Sequence, residues 1–135
     1  MSYAADLTPQ AAWERLQSGA VLVDVRTRAE WAQIGVPLTG GAAAEPVFIE
    51  WTRAGGVPNE GFLDELRQRV PADAELLFLC RSGARSVAAA GAAAAAGFTV
   101  YNVLDGFEGQ PDEAGVRRVN GWKNVGLPTD GTRTA

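Results

Sequence analysis

The stretch Glu75-Leu76-Leu77-Phe78-Leu79-Cys80-Arg81-Ser82-Gly83-Ala84-Arg85-Ser86, running on into the tract Val87 to Ala96, decides the reading of this chain. Behind one glutamate comes an unbroken apolar run, the pattern of a strand covered on both faces. Arg81-Ser82-Gly83 ends it. The alanine-rich segment from about Ala84 to Ala96 then has the composition of a helix, closed by Gly97 as its left-handed cap. Small alanine side chains let such a helix lie close on a sheet, so the tract itself reads as packing. A strand leading through a tight loop into a helix is a unit of an open parallel sheet, whose ligands bind beyond the carboxyl ends of the strands. Cys80 sits at such an end.

Outward from this unit the same alternation continues. Thr8-Pro9 is an N-cap followed by proline at the first helical position, opening a helix through about Leu16 that stops near Gly19. Val21-Leu22-Val23-Asp24-Val25 is a buried strand. Thr27 and Glu30 have capping-box spacing and start a short helix carrying Trp31 and Ile34. Gly35 to Gly41 is loop, and Val47-Phe48-Ile49-Glu50-Trp51 is a further strand. Asn59 is placed to cap a helix with the apolar face Phe62, Leu63, Leu66 and Val70, ended by Pro71. Val100 to Leu104 is another strand. The polar, glycine-rich tail from Gly106 to Ala135 is expected to hold a short helix around Val116 to Asn124. No repeat or linker divides the chain, so residues 1–135 read as a single α/β domain, doubly wound, with a mainly parallel sheet and helices on both faces.

Composition narrows the chemistry. Among 135 residues, 47% are hydrophobic and 21% charged, as in a globular domain. The net charge of −4 and the lack of a basic tract argue against nucleic acid as a partner. With one cysteine, Cys80, no intramolecular disulfide can form, and with no histidine there is no Cys-His or Ser-His-Asp triad and no His-ligated metal. No cofactor and no metal are expected. Met1 to Gln10 lacks the pattern of a signal peptide, and the most apolar stretch, Ser86 to Val100, is too short to span a bilayer. The expected location is cytoplasmic, with no membrane partner.

The loop at 80–86 has the features of an anion cradle. Backbone N–H groups of Arg81, Ser82, Gly83, Ala84, Arg85 and Ser86 can converge at a helix N-terminus, Gly83 permits the curl, and two guanidinium groups add oxyanion recognition. Thiols at helix N-termini beside arginines ionise near pH ~7 or below, against ~8.5 for free cysteine. Such a two-unit drop amounts to roughly 2.7 kcal/mol, within reach of a helix dipole and a partly desolvated arginine. Cys80 is therefore a candidate nucleophile without an imidazole, even though a lone cysteine ending an apolar strand is more often an inert core residue.

These residues resemble the rhodanese family of sulfurtransferases. The likeness begins at Val23-Asp24-Val25-Arg26, continues through Glu30-Trp31, centres on Cys80-x-x-Gly83-x-Arg85-Ser86, and extends through Ala96-Gly97-Phe98 to Leu104, Gly121-Trp122 and Gly126-Leu127-Pro128. The resemblance implies a five-stranded sheet and a Cys80 that takes sulfane sulfur from thiosulfate or a similar small anionic donor, holds it as a persulfide, and passes it to a thiol or cyanide acceptor, or to a protein sulfur acceptor. It implies that Arg81 is the basic residue of thiosulfate-using members, that Arg85 closes the loop, and that the amides from Arg81 to Ser86 hold the persulfide's charge. Ser86 would donate a hydrogen bond toward the sulfur. Asp24, Arg26 and Glu30 match as scaffolding, with Arg26 and Glu30 placed to pair at (i, i+4) and Asp24 to anchor a loop. Two departures stand near the site mouth. The turn Gly35 to Gly40 lacks the family's histidine, and Gly109 to Asn120 separates the last strand's glycines from Trp122.

Other readings remain open at this point. A cysteine phosphatase or arsenate reductase also cradles an oxyanion over a thiolate, but with five residues between cysteine and arginine rather than the four between Cys80 and Arg85. A non-catalytic binding or sulfur-relay module would also use this loop. The segment Gly106 to Gly121 is expected to flank the sulfur and select the acceptor, and Trp51 and Phe107 fit an interface as well as a core.

Overall fold

A computed structural model of the chain describes residues 3–40 and 44–131. Five strands, β1 (Ala5–Leu7), β2 (Val21–Asp24), β3 (Val47–Phe48), β4 (Glu75–Leu79) and β5 (Thr99–Val103), form one parallel sheet in the order β1-β5-β4-β2-β3. The connections carry α1 (Pro9–Gln17), α2 (Arg28–Ile34), α3 (Phe62–Arg69) and α4 (Ala84–Ala95). Side chains alternate across the pleat of β4, and each face finds its own cover. Leu76, Phe78 and Cys80 lie with Phe62 and Leu66 of α3 and with Ala89, Ala90 and Ala93 of α4. Leu77 and Leu79 lie on the opposite face with Ala12 and Leu16 of α1, joined by Phe107 and Trp122. The sheet is doubly wound, and the cysteine strand is its middle member.

Local signals place the helices. Thr8 accepts a hydrogen bond from the Ala11 N–H, with Pro9 in the first turn. Thr27 and Glu30 close both halves of a capping box. Gly97 (φ +102°) takes the left-handed conformation that ends α4.

Elsewhere the sequence reading needs correction. Ala5–Leu7 is a strand without β-branched residues; it owes its state to pairing with residues 101–103 of β5, which no local signal announces. The strand expected over Val47 to Trp51 is regular only at 47–48, although the Ile49 and Trp51 N–H groups still reach the carbonyls of Asp24 and Val25. Asn59 does not cap α3 with its side chain; its Oδ1 accepts from the Gly61 N–H in the turn before Phe62. Within the expected loop Gly35 to Gly41, Val36–Pro37 pairs antiparallel with Thr129–Asp130, and Gly41 lies outside the described residues. Residues 1–2 and 132–135, parts of the N-terminal and tail segments read above, also lie outside them.

The helix expected around Val116 to Asn124 is instead the second arm of a hairpin, Arg117–Val119, followed by turns. Gln110–Pro111 pairs with Arg117–Val119, and Asp112 holds the connecting turn by accepting from the Ala114 and Val116 N–H groups. Asn120 (φ +58°) and Gly121 (φ +88°) then turn the chain left-handed, which a continuous helix does not tolerate. Phe107 is buried, and half-buried Trp51 packs edge-on to Phe62 at 5.1 Å, so both side chains contribute to the core.

Candidate active site

Cys80 follows β4, and Gly83 (φ +120°) turns the chain into α4. The Sγ atom is buried, with the residue 1% exposed. It accepts a hydrogen bond from the Gly83 N–H at 3.1 Å and lies 3.3 Å from Ser86 Oγ.

The curl of the loop is imposed from outside. The carbonyls of Cys80 and Arg81 accept from the Phe107 and Glu108 N–H groups at 2.7 and 2.9 Å, and the Ser82 carbonyl accepts from Gln110 Nε2 at 2.9 Å. In a trans peptide the N–H points opposite to the preceding carbonyl. Tying three carbonyls to residues 107–110 therefore turns the amides of Arg81, Ser82 and Gly83 away from that segment, and the Gly83 N–H is seen to reach Sγ. Gly106 makes the approach possible: a Cβ there would stand 2.3 Å from the Cys80 carbonyl oxygen and 2.7 Å from that of Arg81.

Behind the sulfur runs a second set of polar contacts. Ser86 Oγ is within hydrogen-bond reach of the Gly83 carbonyl and donates to Asn102 Oδ1 on β5. Asn102 Nδ2 donates to Asp6 Oδ1, which also accepts from the Tyr3 hydroxyl. A carboxylate only accepts, so Asp6 fixes the amide of Asn102 with its oxygen toward Ser86. Burial of the Asn102 side chain in β5 is satisfied in this way. An asparagine within Val100-Tyr101-Asn102-Val103 was the available sequence signal for it.

The two arginines divide. Arg85 forms a forked pair with Glu30, at 2.6 and 2.9 Å. Burial pushes the Glu30 carboxyl up, yet its bonds from Arg85 and the Thr27 N–H, with the charges of Arg85 and Arg26, hold it below its ordinary value. Arg85 is pushed up, first by its hydrogen bonds to Glu30. Arg81 stands half exposed at the rim, its Nε 3.3 Å from Glu108 Oε2. Thus Arg81, Ser82, Gly83, Ala84, Arg85 and Ser86 all surround or follow Cys80, but both guanidinium groups already face carboxylates.

The expected pairing of Arg26 with Glu30 is not found. Arg26 precedes α2, so helical (i, i+4) geometry does not apply to it. Its guanidinium instead folds back on Asp24, with contacts from 2.8 to 3.1 Å, and also donates to the Gly35 carbonyl. Asp24 does anchor backbone, accepting from the Arg26 N–H. Among the described residues no group of histidine, cysteine and carboxylate side chains is placed to hold a metal ion, and no helix is long and apolar enough to cross a membrane.

Comparison with known proteins gives a consistent picture. The family model for the rhodanese-like domain matches residues 8–110. Uncharacterized protein RP600 of Rickettsia prowazekii is 36% identical over 114 residues, covering 84% of this chain and 85% of that protein. The crystal structure of Rv0390 from M. tuberculosis superposes with a TM-score of 0.89 at 51% identity, covering 95% of this chain and 98% of that one. A polysulfide-sulfur transferase homodimer from Wolinella succinogenes, at 21% identity and a TM-score of 0.60 over 96% of this chain and 79% of that one, shares the fold.

Proposed function

We propose that this chain, which belongs to the rhodanese-like domain family, is a sulfurtransferase that carries sulfane sulfur on Cys80 between a small donor, thiosulfate or a similar compound, and a thiol or cyanide acceptor. The observation that carries this reading is the position of Sγ: it accepts from the Gly83 N–H at 3.1 Å inside a loop whose carbonyls are tied outward. A persulfide needs a place for one negative charge just beyond Sγ, and inward amides at the start of α4 supply it.

In the loading step the Cys80 thiolate attacks the outer sulfur of thiosulfate. A sulfur–sulfur bond forms, the sulfur–sulfur bond of the donor breaks, and sulfite departs with that bond's electron pair. In the second step cyanide attacks the outer sulfur and leaves as thiocyanate, and the thiolate is restored. Arg81 meets the donor at the rim, Arg85 braces the loop through Glu30, and the amides from Arg81 to Ser86 hold the outer sulfur. A protein thiol serves as acceptor by the same chemistry. A thiol that must be free to take up sulfur needs a reducing compartment, and cytoplasmic placement belongs to this reading.

Intact mass spectrometry without reductant tests it. Thiosulfate should add the mass of one sulfur atom, cyanide should remove it, and Cys80→Ser should abolish both while retaining the circular dichroism of the parent. Sulfur transfer by the serine variant, or aryl phosphate hydrolysis at a comparable rate in the parent, would overturn the assignment.

A further inference from the structure

We infer that Glu108 sets the charge of the sulfur donor this site admits, by neutralising Arg81 and so disfavouring a dianion such as thiosulfate relative to a sulfane donor with at most one negative charge. This rests on the sulfur-transfer reading and deepens it.

The rim of the loop opens on a cavity of about 250 Å³ whose charged lining is Glu30, Arg81, Arg85 and Glu108, beside apolar Ala29 and Ile34. These four charges cancel. Arg85 is engaged by both oxygens of Glu30, and Arg81 faces Glu108 at 3.3 Å. Glu108 is not a surface residue that can swing aside: it is 7% exposed. Its N–H donates to the Arg81 carbonyl, and its own carbonyl accepts from Asn124 Nδ2 at 2.8 Å. Its backbone is thus tied to the loop on one side and to the following turn on the other.

Thiosulfate brings one charge to the outer sulfur and the rest to the sulfonate. The amides meet the first charge. The sulfonate meets an arginine whose charge is already balanced and a carboxylate that repels it. A hydropersulfide, R–S–SH, brings its reacting sulfur without that second charge. The thiolate of Cys80 takes the outer S–H unit, R–S⁻ leaves with the electrons of the broken sulfur–sulfur bond, and Cys80 holds S–SH.

The experiment measures loading of Cys80 by mass spectrometry with two donors, thiosulfate and 2-hydroxyethyl hydropersulfide, whose R group carries no charge. Glu108→Gln should raise the thiosulfate rate about tenfold, equivalent to roughly 1.4 kcal/mol, while the hydropersulfide rate stays within about twofold. Arg81→Gln, which leaves Glu108 unbalanced, should slow thiosulfate by about tenfold or more, and the double variant should return to within about threefold of the parent. This second arm holds even where the single Glu108 variant is poorly folded. An unchanged donor ratio in Glu108→Gln, or a double variant as slow as Arg81→Gln, overturns the role of Glu108 and leaves sulfur transfer standing. A folded parent that neither donor loads overturns both.

Discussion

Removing the charge of Asp24 should be the most damaging single-atom-scale change outside the cysteine loop. Asp24 and Arg26 have no exposed side-chain surface, and their closest contact is 2.8 Å. Asp24→Asn keeps the shape but withdraws the negative charge, leaving a buried guanidinium whose Nη1 already has no hydrogen-bond partner. Breaking such a pair from one side costs about 3–5 kcal/mol. The Phe107 ring lies 4.2 Å below the guanidinium and continues to hold the cation, a contact worth ~0.5–2 kcal/mol, so a value near the lower end, about 3 kcal/mol, is expected. Against a total of roughly 5–15 kcal/mol this is a large fraction. For a chain of this size it lowers Tm by about 10–15 °C. Urea unfolding at neutral pH followed by circular dichroism measures it, with the m-value as a check on two-state behaviour. Arg26→Met replaces the cation with an apolar chain, and the double variant should be more stable than the sum of the singles implies, by about 1–3 kcal/mol. A loss below about 1 kcal/mol in Asp24→Asn, or strict additivity, would refute the argument that this pair is held as a compensated buried charge.

Two further outcomes follow from the geometry. Gly106→Ala and Gly115→Ala both put a side chain at positive φ, but only at Gly106 does the new Cβ meet backbone, 2.3 Å from the Cys80 carbonyl oxygen, whereas nothing lies within 4 Å at Gly115. The shared strain is about 1–2 kcal/mol, and the clash should add roughly 1–3 kcal/mol and slow sulfur loading at Gly106 alone; equal effects in urea unfolding would contradict the close approach. Because Glu30 is held below its ordinary value of 4.5, its contribution to stability is complete above about pH 5 and lost as pH falls through the lower folded value. Glu30→Gln should therefore flatten the acid limb of a stability–pH profile, and parallel curves for variant and parent would show that Arg85 confers no such linkage.

The sheet was legible because its central strands are buried on both faces and so carry apolar runs, continuous in residues 76–80 and broken only by Asp24 in residues 21–25. What escaped was written in pairing across the fold. Ala5–Leu7 becomes strand only beside β5, and Asp6 gains its role only through Asn102. The loop motif announced Cys80, Gly83 and Ser86, but the carboxylates facing the arginines come from 55 residues upstream for Arg85 and from beyond β5 for Arg81. Spacing within a motif says nothing of such partners. The segment 109–120 departed from the family pattern in sequence, yet it leaves the adjoining contact in place: the Trp122 N–H donates to the Gly106 carbonyl. Gly109 and Gly121 pinch the neck of the hairpin, where a Cβ on Gly121 would stand 2.4 Å from the Gly109 nitrogen. The segment therefore loops out between two residues that meet at its neck, and Gln110 reaches back from it to the cysteine loop.

The absence of histidine, which at first excludes most cysteine chemistry, is consistent with the arrangement around Cys80. In the proposed transfer every departing group is already a stable anion: sulfite or a thiolate on loading, the Cys80 thiolate on discharge. None needs a proton as its bond breaks, so a general acid has nothing to accelerate, whereas a leaving alkoxide or amine would need one. What the reaction does need is a fixed place for one negative charge on a sulfur that moves about one bond length outward from Sγ. Backbone amides provide that place without a titratable side chain, provided that their carbonyls are satisfied elsewhere. Here Phe107, Glu108 and Gln110 satisfy them. The chemistry assigned to the loop at 80–86 is therefore shared with the segment at 106–110, whose glycine permits the approach and whose glutamate faces the arginine at the rim.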